Sequence, residues 1–171
     1  MTRSQPGAEE FAQIGRYVTE TICAANPDYA ELDPAVIADV VDTNVHNARI
    51  YVHAVVHQSR PTSQELASLA DAARRRVHQG VTLESMLRAY RVGARAMWEK
   101  LSESRPDLDH RMLTDHTLRY IDWVSSEAER AYLAERDSLL DSRREATRLL
   151  LTRAFRPARH WETYVFSTGE A

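Results

Sequence analysis

Cysteine is all but absent. Cys23 stands alone in 171 residues, so no disulfide can form within the chain. A lone thiol suits a reducing compartment. Its neighbours Ile22, Ala24 and Ala25 are apolar or small, which reads as a buried, inert thiol rather than a nucleophile. No apolar run approaches the ~20 residues that cross a bilayer. The opening residues lack the apolar core of a signal peptide. A cytoplasmic protein without membrane attachment is the expectation. A basic surplus is missing too: the net charge is −3, which removes the electrostatic footprint of nucleic-acid binding. There is no glycine-rich phosphate loop, no cysteine pair and no nucleophile elbow. Ser, His and Asp occur, but no spacing singles out a triad. No catalytic motif is legible in the sequence.

Glycine and proline are scarce, five and six residues, and stand at boundaries. Between them apolar residues recur at spacings of 3 and 4, and no stretch keeps the alternation of a half-buried strand. The pattern predicts an all-α bundle of about five helices in one domain, residues 1–155. Their ranges are about 8–25, 34–57, 63–79, 83–102 and 108–155, followed by an irregular tail over 156–171. Asp33-Pro34 provides an N-cap and a proline at the first helical position. Thr62 and Glu65 have capping-box spacing, Thr82 caps the fourth helix, and Val81 is placed as its staple. Gly80 can close the third helix in the left-handed conformation. Gly93, among Ala89, Val92 and Ala96, marks a face that a neighbouring helix approaches closely. This face makes the fourth helix a central one.

The last helix is the anomaly. At 1.5 Å per residue it measures about 70 Å, whereas a domain of this size is about 30–35 Å across. Part of it must project or pair. Its first half carries Leu113, Ile121, Trp123 and Val124. Beyond these the apolar stripe thins to Tyr132, Leu139, Ala146 and Leu150. Spacings of 7, 7 and 4 fit a two-helix seam, which makes these four the candidate interface residues; the plainer reading is a frayed, solvated helix.

The segment Val81-Thr-Leu-Glu-Ser-Met-Leu-Arg-Ala-Tyr-Arg-Val-Gly-Ala-Arg-Ala-Met-Trp-Glu-Lys-Leu101 resembles the fourth-helix signature of the N-terminal domain of PucR-type actinobacterial transcriptional regulators. That domain is similar to the N-terminal domain of the RsbR and RsbRD co-antagonists. Tyr120-Ile-Asp-Trp-Val-Ser-Ser and Ala131-Tyr-Leu-Ala-Glu-Arg resemble the family's last helix, and the likeness covers roughly residues 10–150. The resemblance implies a globin-like bundle without obligatory haem. It also implies dimerisation, and a signal-input role in which the long last helix passes the signal on. PucR-type regulators continue into a helix-turn-helix domain. This chain stops first, so a stand-alone input domain that does not itself bind DNA is expected.

Three residue sets are candidates for chemistry. Arg88, Arg91 and Arg95 flank the fourth helix, with Glu84 and Glu99 in i,i+4 reach. The plain reading is a solvated charge ladder. The sharper one turns an arginine inward to fix the carboxylate of Asp122 or of a small-molecule ligand, with Tyr90 and Trp98 lining the pocket. His46, His53 and His57 share one side of the second helix with Asp39 and Asp42. They form the best divalent-metal candidate, although that side is opposite the apolar stripe. A haem would need one of the seven histidines on an apolar cavity. No cofactor is expected. The alternative to a sensor is a small haem-, metal- or ligand-binding protein or enzyme repurposed from this domain. A regulatory protein is the other partner a relay can have.

Overall fold

The computed structural model describes residues 7–154, and among them every regular element is a helix. In chain order these are α1 (Ala8–Ala25), α2 (Pro27–Ala30), α3 (Pro34–Val56), α4 (Ser63–His78), α5 (Leu83–Ser104) and α6 (His110–Ala154). The expected tail over 156–171 lies outside the described residues. The five expected helices are present, and α2 is an addition. Asn26-Pro27 ends α1 as expected, but Pro27 also opens a single further turn. That turn is held because the buried Asn26 amide donates to Ser85 O at 2.8 Å. No helix among the described residues is long and apolar enough to cross a membrane.

The helix ends follow from local chemistry. The Asp33 carboxylate accepts from Ala35 N at 2.8 Å. Thr62 and Glu65 form a reciprocal capping box, and Thr82 Oγ1 accepts from Ser85 N at 3.2 Å. α3 and α4 end in the same way. A residue with positive φ follows each, and its successor's N–H reaches back over a full turn. After α4 that residue is Gly80 (φ 76), with Val81 N donating to Arg76 O at 3.1 Å. After α3 it is Gln58 (φ 49), with Ser59 N donating to Ala54 O at 2.9 Å.

The chain divides into two units, Met1–Arg136 and Asp137–Ala171. The first is the bundle. α3 is its most enclosed helix: Val40, Asn44, Asn47, Ala48, Ile50, Tyr51, Val52, Ala54 and Val55 are all buried. The sequence stripe Ile37, Val41, Ala48, Val52, Val55 captured only part of that surface, and Ile37 and Val41 are half-buried. α1 crosses α3 at Gly15, where a Cβ would lie 2.9 Å from Val45 N. α1 also packs on α5 at Gly93, where a Cβ would lie 3.3 Å from Val18 Cγ1 and 3.4 Å from Ile22 Cδ1. Two small residues thus let α1 approach two neighbours closely. In the second unit, residues 137–154 are helical and exposed, except for the half-buried Leu139.

Candidate functional site

Three of the buried polar side chains, Asn44, Asn47 and Arg76, line one cavity of the bundle. Arg76 sits on α4 in the apolar register of Leu69 and Ala73, and only 4% of it is exposed. A buried guanidinium needs a counter-charge. Asp39, on α3, provides it: Arg76 Nη1 donates to Asp39 Oδ2 at 2.7 Å and also to Gln79 Oε1. Arg75 reaches the same carboxylate from the surface, Nη2 to Oδ1 at 3.0 Å. Burial alone would raise the Asp39 carboxyl, but hydrogen bonds and charge from Arg75 and Arg76 hold it below the usual carboxylate range. One carboxylate therefore serves two arginines.

Beside this cluster lies a cavity of about 40 Å³, room for about three water-sized atoms. Ile22, Tyr29, Asn44, Arg76, Met86 and Tyr90 are among its lining residues. Burial pushes the Tyr29 hydroxyl up to about 12 against the opposing pull of Arg76. It also raises the Tyr90 hydroxyl well above its ordinary value. Both phenols therefore remain protonated donors at neutral pH. The Tyr90 hydroxyl makes no hydrogen bond with any described residue.

Two side chains of the α3 wall lead away from the cavity. Asn44 Nδ2 donates to Thr19 Oγ1 of α1 at 2.9 Å, and Thr19 passes its own proton to Gly15 O at 2.8 Å. Asn47 accepts from Tyr120 of α6, through its carbonyl at 3.2 Å and through Oδ1. One turn along, Tyr51 and Thr117 Oγ1 lie 2.7 Å apart. The Thr117 proton goes to Leu113 O at 2.7 Å, so Tyr51 is the donor. The rings of Tyr51 and Tyr120 meet edge to face at 5.2 Å. The cavity wall and α6 are thus joined by fully enclosed hydrogen bonds.

The residues expected at the site are placed differently. Arg88, Arg91 and Arg95 are exposed, as is Asp122. Arg95 pairs with Glu99 at 2.9 Å, while Glu84 and Arg88 form no ion pair among the described residues. The inward arginine is Arg76, and its carboxylate is Asp39 rather than Asp122. Of the expected set only Tyr90 lines the cavity. Trp98 is half-buried, with its ring centroid 6.3 Å from that of His110 and its indole N–H buried without a partner among the described residues. Arg76 could have been found from its position on the apolar stripe of α4, three residues after Ala73.

His46, His53 and His57 are all exposed. His46 Nε2 lies 2.8 Å from Ser68 Oγ, and the rings of His53 and His57 lie 4.5 Å apart. No group of three His, Cys, Asp or Glu side chains among the described residues comes together to hold a metal ion. The cavity is lined by no histidine. Cys23 is half-buried, and burial raises its thiol. Of the outer stripe, Tyr132 belongs to the bundle instead: it is buried and donates to Val81 O at 2.8 Å. The expected interface residues outside the bundle are Leu139, half-buried, and Ala146 and Leu150, both exposed.

Residues 12–147 match the family model described as the RsbT co-antagonist protein rsbRD N-terminal domain. No curated protein matches the chain. No solved structure matches it either.

Proposed function

The chain belongs to the family of RsbT co-antagonist rsbRD N-terminal domains, and from that premise we propose that it is a dimeric signal-input domain. In this reading an event in the bundle biases α6, and the outer part of α6 pairs with a second copy and passes the bias on. The observation that carries it is the exposure of leucine along residues 137–154: Leu140 is 42% exposed, Leu149 57%, Leu150 67% and Leu151 53%. At 100° per residue Leu139, Ala146 and Leu150 form a line about 40° wide, with Leu149 on one flank and Leu140 and Leu151 on the other. An apolar face of this kind on a soluble helix calls for a partner. Parallel pairing brings the two outgoing ends together, as a relay requires.

The polar links Asn47–Tyr120 and Tyr51–Thr117 support the input side, since they join the cavity wall to α6. The likeness of residues 81–101 to PucR-type regulators supports transcription as the process served. The single cysteine supports a cytoplasmic setting. The cavity supports a small-molecule ligand as the input, with a regulatory protein as the receiver of the output.

Sedimentation velocity on the full chain tests the pairing. The wild type is expected to be a dimer at micromolar concentration. Leu139→Glu combined with Leu150→Glu is expected to give a monomer with unchanged helicity. A wild type that is monomeric up to millimolar concentration overturns the proposal.

A further inference from the structure

We propose that the cavity beside Arg76 binds a small monocarboxylate of acetate size, with its carboxylate held by Arg76 and Tyr90. The inference deepens the signal-input reading by naming the class of input.

Charge is the first argument. Arg75 and Arg76 share Asp39, so two cations face one anion. Asp28 is held by the hydroxyls of Thr82 and Ser85 and does not line the cavity. Arg76 is the one charged side chain in the cavity lining, and it is buried. Asp39 also does not use up Arg76. A guanidinium has five N–H donors, and both of its hydrogen bonds to Asp39 and Gln79 leave from Nη1.

The second argument is an unused donor. Tyr90 lines the same cavity and lies within electrostatic reach of Tyr29 and Arg76. Its hydroxyl has no hydrogen-bond partner among the described residues. The residue is half-buried, so this hydroxyl is free to donate to a ligand in the cavity. A charged fork and a neutral phenol, both donors, suit an oxyanion acceptor.

Size and the opposite wall narrow the class. About 40 Å³ accommodates about three or four non-hydrogen atoms. Ile22, Val40 and Met86 offer only apolar surface. A dianion such as phosphate brings two charges to one lining guanidinium and has no apolar end. Acetate matches both ends: the carboxylate faces the donors and the methyl group faces the apolar wall.

The test is a titration of the uniformly ¹⁵N-labelled full chain with sodium acetate at constant ionic strength. Sodium chloride and neutral acetamide serve as controls. Saturable shifts are expected at the Gly93 and Asn44 amides, with acetamide at least about tenfold weaker than acetate. Tyr90→Phe keeps the ring and is expected to weaken acetate binding about tenfold. Arg76→Lys, which keeps the charge but loses the fork, is expected to weaken it as well, with the remainder of each spectrum reporting an intact fold. Non-saturating shifts reproduced by chloride overturn the proposal. So does acetamide binding as tightly as acetate, or an unchanged affinity in Tyr90→Phe. A dimer that ignores acetate sinks this inference alone, whereas a monomer that binds it sinks only the pairing.

Discussion

Replacing Asp39 by alanine removes the counter-charge of a guanidinium that cannot reach water. Arg76 is 4% exposed and keeps only neutral hydrogen-bonding neighbours, Gln79 and Tyr29, while Arg75 loses its carboxylate but stays hydrated. Breaking a buried pair by deleting one partner costs about 3–5 kcal/mol. The Asp39 side chain is itself 31% exposed, so water can replace part of what is lost. The expected loss is therefore about 3 kcal/mol, at the lower edge of that range. For a chain of this length that lowers the melting temperature by roughly 6–12 °C.

The pH dependence carries its own sign. In the folded state the Asp39 carboxyl, against the effect of burial, is held below the usual carboxylate range by Arg75 and Arg76. Its contribution is thus fully present above the unfolded pKa and is lost as pH falls through the folded value. Urea unfolding followed by circular dichroism should show the full gap between wild type and variant at pH 7. The gap should close as pH falls below about 4, because protonated Asp39 leaves Arg76 unpaired in the wild type too. Replacing both residues, Asp39→Ala with Arg76→Met, should recover much of the stability. A gap under about 1 kcal/mol at pH 7, or one that persists unchanged to pH 3, refutes the claim that this pair governs the wall of the cavity.

Three further outcomes follow from local geometry. Gly15→Ala should destabilise by about 2 kcal/mol in urea titration, because backbone atoms of Val45 block the new Cβ and outweigh a helix-propensity gain of about 1 kcal/mol. Gln58→Gly should raise the urea midpoint by an amount equivalent to about 1 kcal/mol, since Gln58 holds a positive φ of 49 that glycine adopts freely. Burial lowers the His116 pKa below 6.5, and its Nε2 is buried without a partner among the described residues. The unfolded chain therefore takes up the proton first, and stability should fall as pH drops through about 6.5. His116→Gln should flatten that slope, as read from urea midpoints between pH 8 and pH 5.

Helices and caps were legible because their determinants are local. Asp33-Pro34, Thr62 with Glu65, Thr82 and Gly80 each act within a few residues of the boundary they set. The left-handed Gln58 was hidden because nothing about glutamine signals that conformation. The core face of α3 was only half legible. Asn44 and Asn47 read as polar surface, yet each is buried because Thr19 and Tyr120, remote in sequence, satisfy it. The candidate site was misplaced for the same reason. The arginines of α5 sit beside suggestive glutamates but face solvent, whereas Arg76 finds Asp39 37 residues earlier in the chain. Gly93 was read as a close-packing position, and the structure places α1 against it. Gly15, the tighter of the two crossings, carried no comparable cue, because the clash it avoids is with Val45 on another helix.

The central claim is that the outer part of α6 meets its own copy along one face, and cysteine cross-linking tests it most directly. In a Cys23→Ser background, Ala146→Cys places a thiol on the line of Leu139 and Leu150, and Arg148→Cys places one about 160° away around the helix. Mild oxidation at micromolar concentration should convert the Ala146→Cys chain to a covalent dimer on a non-reducing gel and leave the Arg148→Cys chain monomeric. Equal cross-linking at both positions, or none at either, contradicts the account.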